Sequence, residues 1–161
     1  MYGLFSLQSA VVEAVKEAVA DYRLKNSHGD LVPVNVYPGF IPRDGAGEID
    51  AERVTDYPSV IVQASGAEHT WEDGTVQVRL LVGVADSSPD MQGHQDALNV
   101  IDSITRRFFR YRILVNAFPL AMPYHWQTLE YDTFPVFVGI ITSTWRIETP
   151  QSAHADTVYD E

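Results

Sequence analysis

From Ser6 to about Lys25, Leu7, Val11, Val12, Val15, Ala18, Val19 and Tyr22 recur at three- and four-residue steps, with Gln8, Glu13, Lys16, Glu17 and Asp21 between them. This spacing predicts an amphipathic helix. Asn26, His28 and Gly29 are its stop signals, and Arg23 and Lys25 fall in a last turn, where cations oppose the helix dipole. A short strand is expected from Val32 to Tyr37, closed by Pro38-Gly39. Pro58 opens another, Ser59 to Ala64. Strict alternation then marks the clearest strand: Val76, Val78, Leu80, Val82 and Val84 share one face, with Gln77, Arg79, Leu81, Gly83 and Ala85 on the other. These two strands form an antiparallel hairpin in this reading. Its connection runs from Gly66 to Asp73, longer than most hairpin loops, and carries Trp71 at an exposed tip.

Asp86-Ser87-Ser88-Pro89-Asp90 has the signals of a helix start, with Ser88 as N-cap and Pro89 preset for the first helical position. The helix reaches about Arg110 and buries a stripe of Ala97, Ile101, Ile104 and Phe108. Three further strands are expected over Ile113 to Phe118, Tyr124 to Tyr131 and Val136 to Ile147, punctuated by Pro119, Pro123 and Pro135. This order predicts an α+β fold, a mainly antiparallel β-sheet with two amphipathic helices packed on one face. Leu81, Ile141, Trp145 and Ile147 are read as apolar positions on the opposite face, where a neighbouring subunit would cover them.

Between these elements lie two stretches with no sustained period. Residues 40 to 57 hold Asp44, Glu48, Asp50, Glu52 and Asp56 among Gly45, Gly47 and Pro42, a long exposed loop whose ordering entropy a partner surface would offset. From Gln151 the chain is polar and acidic. The expected organisation is one domain over 1–150 and a flexible acidic tail over 151–161.

Composition narrows the chemistry. The 161 residues contain no cysteine, which excludes disulfides, thiolate metal sites and cysteine nucleophiles. The net charge of −11 opposes tight binding to nucleic-acid phosphates and to anionic membranes. No apolar run approaches the roughly 20 residues of a membrane-spanning helix, so a soluble protein is expected. The histidines His28, His69, His94, His125 and His154 are scattered, without the spacing of paired zinc ligands. Neither a Gly-x-Ser-x-Gly elbow nor a phosphate-cradling glycine loop occurs. Glu68-His69 with Glu72 and Asp73 is the nearest approach to an acid–base group, and solvated loop polarity is the simpler reading. No catalytic residue, metal ligand or cofactor site is assigned.

The most functional-looking run is Arg106-Arg107-Phe108-Phe109-Arg110-Tyr111-Arg112, which holds four of the eleven basic residues. Arginines among aromatics suit phosphates and stacked bases. They equally suit a helix C-terminus, or carboxylates of a neighbouring subunit, the reading that best fits the acidic remainder. Arg106, Arg107, Arg110 and Arg112 are therefore candidate intersubunit contacts, and replacing Arg107 or Arg110 by Glu is expected to impair assembly while sparing the fold.

The segments Tyr57-Pro58-Ser59-Val60-Ile61-Val62, Val76 to Val84, Asp96 to Ile104 and Phe134 to Ile141, with the N-terminal helix, resemble the tail terminator (tail completion) proteins of long-tailed bacteriophages over roughly residues 5 to 149. The resemblance implies a non-enzymatic virion protein of the tail or neck region, assembled in the host cytoplasm. It implies a homo-oligomeric ring, usually hexameric, that caps the tail tube protein, ends tube polymerisation and offers a face to the head-tail connector. DNA would pass through without specific binding, an acidic wall releasing no counterions to it. Candidate tube or connector contacts are Asp44, Glu48, Asp50, Glu52, Glu68, His69, Trp71 and Glu72, with Trp71 as anchor. The alternatives are another neck or tail component of similar fold and a small-molecule-binding domain or enzyme. A deep pocket joining His69 or His125 to carboxylates would favour the last.

Overall fold

In a computed structural model, residues 3–26, 29–40, 57–129 and 135–150 are described. The first helix, α1, spans Leu4–Val19 and buries Leu7, Val11, Val12, Val15 and Val19, the stripe its spacing predicts. It ends nearly two turns short of the expected Lys25. Arg23–Lys25 is a strand, β1, paired antiparallel with β2, Leu31–Pro33. Arg23 Nη1 donates to the carbonyls of Ala20 and Tyr22 and so still serves the helix C-terminus. Gly29, at φ +83°, turns the chain between β1 and β2. The expected strand Val32 to Tyr37 is thus split, its second part being β3, Asn35–Pro38.

Six further elements complete the described fold: β4 Ser59–His69, β5 Gly74–Ala85, α2 Gln92–Arg110, β6 Ile113–Leu114, β7 Phe118–Thr128 and, closing it, β8 Val136–Ile147. The main sheet has the order β3-β4-β5-β8-β7-β6, and only the β3–β4 pair is parallel. The α+β class, mainly antiparallel with both helices over one face, is the one the sequence predicts.

The register shows which side of each strand meets the helices. Val76 pairs with Trp145, Leu80 with Ile141 and Val82 with Gly139, and Val60 and Val62 continue the same face onto β4. Trp145 and Ile141 are fully buried there. The expectation that Ile141, Trp145 and Ile147 lie on the opposite face is therefore corrected. β8 is apolar in both phases, so its pattern does not mark a face, and it is Val138 and Ile140 that join Leu81 on the other side.

Three local expectations also change. The β4–β5 connection is the four-residue turn Thr70–Asp73, because β4 stays paired with β5 as far as His69, with a register shift between Ala64 and Gly66. Ser88 does not cap α2. Its hydroxyl and its N–H both go to Asp86 Oδ1, at 2.6 and 2.9 Å, and α2 begins after Met91, held at φ 58°. Finally, Val115 and Asn116 adopt positive φ and break the expected strand Ile113 to Phe118 into β6, a turn and β7. β7 then passes through Pro119 and Pro123. Beyond Pro119 no described strand pairs with its outer side, so Pro123 forfeits no ladder bond there.

Candidate interaction surface

The sheet and helices end together on one side of the molecule. Gln8 Oε1, in the first half of α1, accepts a hydrogen bond from the Ala64 N–H, where β4 leaves the helix layer. The helices run antiparallel: Glu17 meets Arg107, Ala18 O accepts from Ser103 Oγ, and Tyr22 OH donates to Asn99 O. The end of α1 is thus level with the second half of α2, and the start of α1 points past Arg110 toward the β6 strand, which α1 contacts. Phe108 stacks edge-on against Trp145 with centroids 5.1 Å apart, and Trp145 is opposite both Val76 and Leu120. The β4–β5 turn, the β6–β7 turn, the start of α1 and the end of α2 thus share one end of the fold.

That end is unusually apolar for a surface. Trp71 is 96% exposed, Phe5 79% and Ile113 57%, and Leu4, Tyr111, Val115 and Met122 are exposed with them. Scattered single apolar residues need no explanation, whereas a concentration at one end marks a contact surface. The tip carrying Trp71 is also rigid. Thr70 Oγ donates to Asp73 Oδ1 at 2.8 Å and accepts from the N–H groups of Glu72 and Asp73. On the adjoining strand pair, a Cβ at Gly74 would lie 2.5 Å from His69 Nδ1, so the glycine makes room for the imidazole, which contacts Thr149 Oγ at 3.2 Å.

The four arginines have different surroundings. Arg106 pairs with Asp102 at 2.8 Å one helical turn away, exposed to solvent. Arg107 crosses to Glu17 on α1 at 2.9 Å, and its guanidinium carbon lies 5.2 Å from the Tyr111 ring centroid. Arg110 lies 5.3 Å from the same ring. Arg112 donates to the Phe109 carbonyl and lies 5.9 Å from the Phe109 ring. No carboxylate among the described residues pairs with Arg110 or Arg112.

Of the other candidate contacts, Glu68, His69, Trp71 and Glu72 are together on the projecting hairpin and exposed. Asp44, Glu48, Asp50 and Glu52, the acidic loop, fall outside the described residues, as does the tail 151–161. The pattern did not single out Phe5, Ile113, Val115 or Met122. Only Asn116, a residue tolerant of positive φ, hinted that the chain turns there rather than running on as a strand.

A cavity of about 260 Å³ opens beside the hairpin, lined by residues that include Gly66, Ala67, Thr75, Met122 and Thr144, with Glu68 its one titratable group. It holds neither His69 nor His125. Among the described residues no group of three or more His, Cys, Asp or Glu is placed to hold a metal ion, and no helix is long and apolar enough to cross a membrane.

No protein-family model and no curated protein matches the sequence. Among solved structures, "Virion of native gene transfer agent (GTA) particle" contains a chain that aligns with 92% of this one and 100% of its own length, at TM-score 0.51 and 12% identity. The two chains share a fold. At this identity the likeness concerns the fold and not individual side chains.

Proposed function

We propose that the protein is a structural component of a virion, acting as a tail terminator: a homo-oligomeric, hexameric ring in the neck region. It would cap the tail tube, end tube polymerisation and join the tail to the head connector. The observation that carries the reading is the fold shared with a gene transfer agent virion chain over that chain's whole length. The apolar end of the molecule supports it, because a ring subunit must present contact surfaces that an isolated protein would bury. The reading assigns no catalytic group or cofactor. The net charge of −11 suits a channel through which DNA passes without sticking.

The test is the mass of the purified chain by light scattering at several concentrations, alone and with tail tubes of its virion, with electron microscopy of the tube ends. A ring that seats on one tube end and halts elongation is the expected result. A monomer that ignores tubes would overturn the reading. A ring that binds the connector but not the tube would overturn the terminator role and move the protein to another position in the neck.

A further inference from the structure

We infer that the hairpin tip of one copy, Trp71 flanked by Glu68 and Glu72, docks on the Arg110–Arg112 edge of the next copy, against Tyr111, Ile113 and Val115. The inference rests on the ring reading above and names the contact that builds it. At the apolar end of the fold the sheet has two lateral edges. β3 pairs with β4 only as far as Val62, so from Ser65 onward no described strand lies on the outer side of β4, and the hairpin forms one edge. The short strand β6 and its turn form the other, last in the sheet order.

These edges are complementary. The hairpin is acidic and carries the most exposed large apolar side chain described, Trp71. The opposite edge is basic, and its two arginines lack carboxylate partners within the described chain. Their guanidinium groups already lie against Tyr111 and Phe109, which limits their freedom before any partner arrives. Ile113 and Val115 provide apolar surface beside them. The Thr70–Asp73 hydrogen bonds fix the hairpin tip in advance, which lowers the ordering cost of docking. Because the two surfaces are different patches on opposite edges, the contact is head-to-tail. Contacts of that kind close into rings when the rotation from copy to copy closes, and the ring reading requires that it does.

The test uses the full chain. Trp71→Ala, Arg110→Glu with Arg112→Glu, and Glu68→Arg with Glu72→Arg are each compared with wild type by light scattering, alone and with tail tubes. Each is expected to raise the concentration of half-assembly by roughly thirtyfold or more, the loss expected of a hot-spot side chain. An equimolar mixture of the two charge-reversed variants is expected to assemble again, because copies alternating around a hexamer restore every opposite-charge contact. That recovery also shows that both variants are folded. Variants that assemble like wild type, a mixture that stays dissociated, or Trp71→Ala that forms rings yet loses only tube binding would each overturn this contact while leaving the ring intact. A wild-type chain that assembles under neither condition removes the ring reading itself.

Discussion

Arg107 on α2 reaches Glu17 on α1, Nε to Oε2 at 2.9 Å, and is the described ion pair that joins the two helices. The Arg107 side chain is 20% exposed and that of Glu17 66%, and Arg107 Nη1 is buried without a partner. Removing Glu17 therefore leaves a largely buried cation less well matched. Glu17→Ala is expected to cost about 1 kcal/mol, above most exposed pairs. Arg107→Glu faces two carboxylates and loses the packing over Tyr111, for about 2–3 kcal/mol. Urea midpoints of the two variants and of the reversed pair check this, with partial recovery in the reversal. Arg107 is thus committed within the subunit, and Arg110 is the cleaner probe of assembly.

Trp145 depends on a hydroxyl two residues away. Its indole Nε1 donates to Ser143 Oγ at 2.9 Å, and Ser143 Oγ donates to the Val78 carbonyl at 2.8 Å, all in the fully buried core. Ser143→Ala leaves the indole N–H unsatisfied, which costs about 1–3 kcal/mol. In a Trp145→Phe background that donor is gone and Ser143→Ala should cost less. Denaturation of the four proteins of this cycle measures the coupling, and additive losses would contradict the hydrogen-bond account.

Gly93, at the start of α2, should resist replacement by Ala despite alanine's helix preference. The propensity gain is at most about 1 kcal/mol. A Cβ would lie 2.5 Å from Phe137 Cδ2 and 2.9 Å from Asp86 Cβ, and overpacking of this kind costs about 1–3 kcal/mol. Gly93→Ala is expected to lower the melting temperature, and a Phe137→Leu background, which removes the ring, should recover part of the loss.

How much of this was legible from sequence follows from where side-chain pattern reports burial. The β5 alternation and the α2 stripe could be read because in each only one face meets the core. β8 could not, since both its phases are apolar. The outer half of β4 carries no such mark, because from Ala64 to His69 neither of its faces is buried and hydrogen bonding continues without a periodic signal. The end of α1 is set by the pairing of Arg23–Lys25 with Leu31–Pro33, which no local rule reveals. At the surface, Trp71 and the arginine run stood out by residue type. Phe5, Ile113 and Val115 did not, because apolar residues are read as core until the structure shows where the layers stop.

Acid should expose the role of Asp86. The Ser88 hydroxyl bond is the main cause holding its carboxyl below the ordinary 3.8, helped by the Ser88 N–H and the charge of Lys25, while burial opposes them. A folded pKa below the unfolded one contributes stability above the unfolded pKa, lost as pH falls through the folded pKa. Ser88→Ala removes the hydroxyl bond. The variant should therefore be less stable than wild type near neutrality, with the gap narrowing on acidification below the ordinary carboxyl range. Unfolding free energies across an acid series test this, and a pH-independent gap would assign Ser88 a packing role instead.

At the alkaline end the corresponding group is Tyr124. Burial pushes its phenol up to about 12, against the opposing hydrogen bond with Thr105, whose Oγ lies 2.8 Å from Tyr124 OH. Phe108 and Phe109 meet the ring edge-on, with centroids 6.3 and 5.2 Å away, which accounts for the loss of water around it. Here the sign is reversed. A folded pKa above the unfolded value of 10.0 contributes stability that is complete below that value and is lost as pH rises through the folded pKa. The loss is on the order of 2 kcal/mol by the top of that window. Tyr124→Phe should therefore be less sensitive than wild type to pH above 10.0, although it gives up the Thr105 hydrogen bond at neutral pH. Ultraviolet titration of the phenolates should show one tyrosine ionising late in wild type and absent from the variant. If every tyrosine of the folded protein ionised together near the ordinary value, the packing of the aromatic group where α2 meets β7 would have to be looser than described.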